Sequence, residues 1–141
     1  MTLSQETKNK IREEYSHWES IQYGSKSVEE RQELGQFFTP AELTIKMIEK
    51  FDNLDGTILD PCAGCGGLLS ACIIAGADPE KIYANEFDPE IVELCKQRLV
   101  PMGVPEWHIH CGDALDPHCY EFSEDYVWPK PTPKEVDLWG L

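Results

Sequence analysis

The apolar positions of this chain change rhythm near residue 57. Before it they recur at helical spacing. Ile11, Tyr15, Trp18 and Ile21 to Gln22 mark one face over residues 4–22 while Glu13, Glu14 and Glu19 turn elsewhere, which predicts an amphipathic helix. Ser27 and Glu30 make a capping box for a second, short helix that Gly35 can close. Thr39-Pro40-Ala41-Glu42 is another capping box, with proline at the first helical position, and the helix it starts carries Leu43, Met47, Ile48 and Phe51 on one face. From residue 57 the pattern runs strand (57–60), helix (68–75), strand (82–85), helix and strand (107–111). The second of these helices opens at Asp88-Pro89-Glu90 and bears Ile91, Leu94, Cys95 and Leu99. Residues 116–134 are proline-rich and irregular, and residues 136–139 read as a fourth strand. This alternation implies an α/β fold with a parallel sheet and helices on both faces. Ile58, Leu59, Ile82, Tyr83, Ile109 and Leu138 are its expected sheet core.

The connection after the first strand carries the chemistry. Residues 60–67 read Asp-Pro-Cys-Ala-Gly-Cys-Gly-Gly. Gly64, Gly66 and Gly67 permit positive φ and close approach of backbone to a ligand. Glu86 ends the second strand, where a carboxylate can accept both hydroxyls of a ribose. A dinucleotide site would place a third glycine where Leu69 stands, and Asp60 puts negative charge where a pyrophosphate would meet repulsion. An acid, a Gly-x-Gly turn and a later acid suit a ligand with an amino group and a ribose but no phosphate. S-adenosylmethionine fits that description. The competing reading is a glycine-rich strand-to-helix turn with no ligand.

Composition narrows the picture. The 141 residues suffice for one domain with its own core, and no apolar run approaches membrane-spanning length. The polar N-terminus shows no secretory signal, and six cysteines, four of them in or beside the glycine turn or on helices, read as reduced thiols of a cytoplasmic protein. Net charge is −14, and residues 78–125 hold twelve acids against Lys81, Lys96 and Arg98. Without a lysine or arginine cluster the chain is not expected to hold DNA by counterion release on its own. A zinc site from Cys62 and Cys65, or from His108, His110, Cys111, His118 and Cys119, is a rival with ligand-like residues. The first pair is already accounted for by the cofactor turn, and no metal site is expected.

Four motifs in order carry a resemblance. Gly35-Gln36-Phe37-Phe38-Thr39-Pro40 is similar to the motif that opens the catalytic domain of type I restriction-modification M subunits and related adenine-N6 DNA methyltransferases. Residues 60–67, Asn85-Glu86-Phe87-Asp88 and Gly112-Asp113-Ala114-Leu115 follow in the family's order. The resemblance implies a Rossmann-like S-adenosylmethionine-dependent methyltransferase fold, cut off after about four parallel strands. A helical segment (1–34) precedes the cofactor-binding domain (35–141). It implies that Phe38, Thr39 and Pro40 border the methionine part of the cofactor. Asp60 would face its amino group, Gly64 and Gly66 its ribose and carboxylate side, Glu86 the ribose hydroxyls and Asp113 the adenine amine. Cys62, Phe87 and Ala114 complete the expected cofactor-binding set.

The same resemblance names what this sequence lacks. The family activates adenine N6 with an Asn/Asp-Pro-Pro-Tyr/Phe loop after the fourth strand, and no such run occurs among the 141 residues. No residue is therefore assigned as catalytic. The expectation is a cofactor-binding domain of a DNA methyltransferase that reaches DNA and completes catalysis through a partner or a missing segment. A second chain or self-association would cover the edge at residues 136–139. The alternative is an acidic, non-catalytic interaction or anti-restriction protein derived from a methyltransferase.

Overall fold

A computed structural model describes residues 1–124. The expected strand at 136–139 lies outside them. Five helices and three strands alternate as the sequence pattern requires: α1 (Gln5–Trp18), α2 (Val28–Glu33), α3 (Ala41–Glu49), β1 (Ile58–Asp60), α4 (Gly67–Ile74), β2 (Ile82–Glu86), α5 (Pro89–Leu99) and β3 (Ile109–Cys111). The strands form one parallel sheet in the order β1-β2-β3. Asp60 stands beside Ala84, and Glu86 beside Cys111. That register brings the C-terminal ends of the strands to one edge, where connecting loops of α/β sheets hold ligands.

The helix ends follow local chemistry, with one shift. Ser4 caps α1 by accepting from the Thr7 amide, and Ser27 with Glu30 forms the reciprocal capping box of α2. Asp88 caps α5 by accepting from the Glu90 amide, with Pro89 in the first turn. The box expected at Thr39 does not form. Pro40 occupies the cap position of α3, no side chain caps it, and Glu42 instead pairs with Arg12 at 2.6 Å.

The helices cluster around a core that runs from Leu3 and Ile11 through Ile45, Ile48 and Leu69 to Ile82, Leu99 and Ile109. α1 packs on α3 and α4, and α5 on β2 and β3. The buried face of α3 is Thr44, Ile45 and Ile48, whereas Leu43, Met47 and Phe51 are exposed. A hydrogen bond of 2.7 Å between Tyr15 Oη and Thr44 Oγ1 fixes that rotation. Ile21 is exposed because α1 stops at Trp18. Leu59, expected in the sheet core, is 41% exposed, since β1 pairs only with β2 among the described residues. His108 and His110 are buried structural groups. His108 Nδ1 donates to the Ile82 carbonyl at 2.9 Å and its ring stacks on Tyr83, while the His110 ring stacks on Phe122.

The rotation of α3 sets an expected contrast in stability. Ile48→Ala should cost roughly 2–5 kcal/mol in chemical denaturation, as for other filled core positions, and Leu43→Ala no more than about 0.5 kcal/mol. Equal losses would place Leu43 in the core and refute the rotation.

Candidate functional site

The site begins with the turn between β1 and α4. Gly64 and Gly66 both take left-handed backbone conformations, with φ of +58° and +88°. A side chain at Gly66 would press on Leu99 and the Cys95 sulfur, so that glycine is fixed by packing beneath the turn. Gly64 faces the other way. A Cβ there would fall 2.5 Å from the Phe38 ring, which lies directly over it and in turn contacts Tyr23 at 4.5 Å between centroids.

The end of β2 ties the turn in place. The Gly64 amide donates to Glu86 Oε1 at 3.2 Å, and the Asp88 amide to Glu86 Oε2 at 2.7 Å. The Ala63 amide donates to the Asn85 carbonyl at 2.9 Å. Asn85 itself is fully buried, and its Nδ2 donates to the carbonyls of Pro61 and Gly112, the loops after β1 and β3. Burial pushes the Glu86 and Asp60 carboxyls above their ordinary values. Asp60 Oδ1 accepts from the Cys62 amide at 3.1 Å, which partly offsets that effect.

Between this sheet edge and the segment before α3 lies a cleft of about 330 Å³. Phe38, Thr39, Asp60, Cys62, Gly64, Glu86 and Phe87 all line it. Pro40, Gly66, Asp113 and Ala114 are not part of its lining. Pro40 begins α3 and Gly66 begins α4. Asp113 Oδ1 accepts from the Leu115 amide at 2.9 Å, and the Ala114 carbonyl accepts from Tyr120 Oη at 2.7 Å, so this pair shapes the loop after β3.

The cleft also recruits residues that sequence reading did not single out. Gln36 donates to Asp88 Oδ2 at 2.6 Å, and its buried Oε1 has no hydrogen-bond partner among the described residues. Lys26 bridges Asp88 and Glu90 at 2.7 and 2.9 Å, fastening the segment before α2 to the start of α5. With the Ser25 amide, Lys26 holds the Glu90 carboxyl down at about 2. Arg98 and Tyr15 also line the cleft. Gln36 had a signal, since it belongs to the hexapeptide 35–40. Arg98 had one too, because it sits three residues beyond Cys95 and seven beyond Ile91, on the apolar face of α5.

The rival chemistry finds little support in this geometry. Among the described residues no three His, Cys, Asp or Glu side chains converge as a ligand set. Cys62 is exposed at the cleft, whereas Cys65 is buried and accepts a hydrogen bond from Arg98. All six cysteines are unbridged. Among the described residues, no helix is long and apolar enough to cross a membrane.

Comparison with known proteins agrees with the motif order. Over 104 residues, or 69% of this chain, the sequence is 31% identical to the type I restriction enzyme MjaIX methylase subunit of Methanocaldococcus jannaschii. Over 84 residues, or 57% of the chain, it is 29% identical to the type II methyltransferase M.NspV of a Nostoc species. The matched region spans 18% of each relative's length. No solved structure matches. The model of the N-6 DNA methylase family matches residues 24–132, which take in the lid over Gly64, the glycine turn and both strand-end acids; the chain belongs to the N-6 DNA methylase family.

Proposed function

We propose that the cleft binds S-adenosylmethionine and that this chain supplies the cofactor-binding part of an adenine-N6 DNA methyltransferase of the restriction-modification kind. The observation that carries the reading is the placement of Glu86. Its carboxylate ends β2, faces the cleft and is held against the glycine turn by the Gly64 amide. The donor set of the cleft suits such a ligand. Glu86, Asp60 and the orphaned Oε1 of Gln36 offer acceptors to hydroxyl and ammonium groups. Gly64 and Gly67 line the cleft with Phe38 packed over the one and Tyr15 against the other, and Phe38 and Phe87 add apolar surface. Of the charged residues that line it, Asp60, Glu86 and Asp88 are acids and only Arg98 is a cation, which disfavours phosphate.

Bound S-adenosylmethionine supplies a methyl group activated by its sulfonium. The residues of this chain bind and orient that group. Glu86 fixes the ribose, Asp60 faces the ammonium and Phe38 with Thr39 closes the side toward α3. The acceptors that activate adenine N6 come from another chain or from further residues, because the Asn/Asp-Pro-Pro-Tyr/Phe run does not occur here. DNA is gripped elsewhere as well. Lys8, Lys10, Arg12, Lys26, Lys96 and Arg98 are all paired with acids of the same chain. Such cations are poorly placed to displace counterions from a phosphate backbone.

Calorimetric titration tests the cofactor assignment. The wild-type chain should bind S-adenosylmethionine, and Glu86→Ala should weaken binding about tenfold or more, the effect of losing one hydrogen bond to a charged group. Absence of binding by the wild type would refute the assignment. The raised carboxyl of Glu86 adds a pH dependence. Its ionised form accepts from the ribose, so affinity should hold at neutral pH and fall on acidification, beginning above the ordinary value of 4.5. Glu86→Gln should remove that component, and an unchanged profile would exclude Glu86 as its source.

Gly64→Ala tests the close approach. Alanine there pays a left-handed backbone cost of about 1–2 kcal/mol and displaces the Phe38 ring. The expected result is weaker cofactor binding in a chain that still folds by circular dichroism. Wild-type affinity in that variant would show that the Phe38–Gly64 contact does not shape the site.

A further inference from the structure

We infer that the Glu14–Arg98 ion pair, buried at its Arg98 end, is a positioning device for the amino-acid end of the cofactor, which makes helix α1 part of the binding site. The inference rests on the cleft taking S-adenosylmethionine. It starts from the polarity of the lining. Glu86, Asp88 and Asp60 belong to the sheet edge, and Arg98 is the one lysine or arginine that lines the cleft among the described residues. A zwitterionic ligand with a diol at one end and a carboxylate at the other has one favourable direction in such a cleft. The diol meets Glu86, and the carboxylate lies toward Arg98.

Arg98 is built into that wall with unusual completeness. It is 3% exposed, and its Nε and Nη2 donate to the two Glu14 oxygens at 2.5 and 2.6 Å. Nη1 donates the other way, to Cys65 Sγ at 3.0 Å inside the glycine turn. The Tyr15 and Trp18 rings lie 5.0 and 5.5 Å from the guanidinium carbon. Ser70 Oγ, on the first turns of α4, lies 3.1 Å from Glu14 Oε2. One ion pair therefore joins α1, α4, α5 and the turn.

The geometry gives the pair a direction. Glu14 takes the fork on the α1 side and Nη1 reaches Cys65 in the turn, so of the pair it is Arg98 that lines the cleft. A Cβ added at Gly67 would lie 2.7 Å from Tyr15 Oη and 3.4 Å from Arg98 Nη1, so the backbone of the turn rests directly against both. The pair holds that backbone in shape and biases its potential toward an anionic group. Arg98 acts through the turn, since its own side chain is almost wholly enclosed.

A ligand that lacks the amino-acid chain separates positioning from general stability. 5′-Methylthioadenosine keeps the adenosine and the sulfur but has neither carboxylate nor ammonium. Titrations of the full chain with it and with S-adenosylmethionine, on wild type, Arg98→Met and Arg98→Lys, decide the matter. Arg98→Met should lose about tenfold or more for S-adenosylmethionine and no more than about twofold for 5′-methylthioadenosine. Arg98→Lys retains the charge but not the fork, and should fall between wild type and Arg98→Met for S-adenosylmethionine alone. Should Arg98→Met not fold, the ligand-selective loss is read from Arg98→Lys and Glu14→Gln. Equal losses for both ligands, or no loss in any folded variant, would overturn the positioning role while leaving the cofactor assignment standing. A wild-type chain that binds neither ligand would overturn the cofactor assignment itself.

Discussion

A single buried amide organises the edge of the sheet that carries the cleft. Asn85 is fully enclosed in the middle strand, and its two N–H groups reach outward to the loops on either side, at Pro61 and Gly112. The neighbouring carboxylate, Glu86, takes the amides of Gly64 and Asp88. A parallel sheet ends in unpaired backbone groups wherever its loops leave, and buried groups of that kind need partners. Here two consecutive residues of β2 supply most of them. The positive-φ conformation of the turn, the position of the acid and the mouth of the cleft all follow from that one strand end.

The second constraint comes from outside the sheet. The segment between α1 and α3 contains the short helix α2, none of whose residues is buried, and has little core of its own to hold it. Lys26 on Asp88 and Glu90, Gln36 on Asp88, and Phe38 on Gly64 fasten it across the sheet edge. Asp88 is central to this, since it caps α5 with one oxygen and receives Gln36 and Lys26 with the other. Capping, an ion pair and lid closure thus meet on one carboxylate 8% exposed. Removing its charge would disturb the helix start and the cleft together.

How much of this was legible in the sequence depends on whether the deciding interaction was local. Helix caps at Ser27 and Asp88, the alternation of strands and helices, and the glycine turn with Glu86 twenty residues beyond Gly66 rest on short-range patterns, and the structure has them. The face of α3 was misread. Of the expected face Leu43, Met47, Ile48 and Phe51, only Ile48 is buried, and the face that packs on α1 and α4 is Thr44, Ile45 and Ile48, with Thr44 bonded to Tyr15, 29 residues away in the chain. Glu14 is expected to turn away from the apolar face with Glu13 and Glu19, yet its spacing from Ile11 and Trp18 puts it on that face. Its partner lies 84 residues away. A charged residue on an apolar stripe marks a buried pair, and two such residues, Glu14 and Arg98, were each other's answer. Asp113 shows the opposite limit. The motif resemblance implies a ligand role for it, and in the structure its Oδ1 accepts from the Leu115 amide and it is not among the residues lining the cleft.

The charge of the chain belongs to the same logic. With −14 overall, Lys8, Arg12, Lys26, Lys96 and Arg98 are engaged in ion pairs that join separate elements. Internal pairing of this kind is strongest where it is buried, as at Arg98, and weakest at exposed pairs such as Lys10 with Glu6. High salt would therefore loosen the exposed pairs and spare the ones that shape the cleft. Nucleic-acid binding, by contrast, weakens with salt in proportion to the cations placed on phosphates. On the proposed reading, ligand affinity in the cleft should therefore depend little on salt, unlike contacts to phosphates. The physical basis is burial, which makes the Glu14–Arg98 and Lys26–Asp88 contacts parts of the fold rather than parts of the surface.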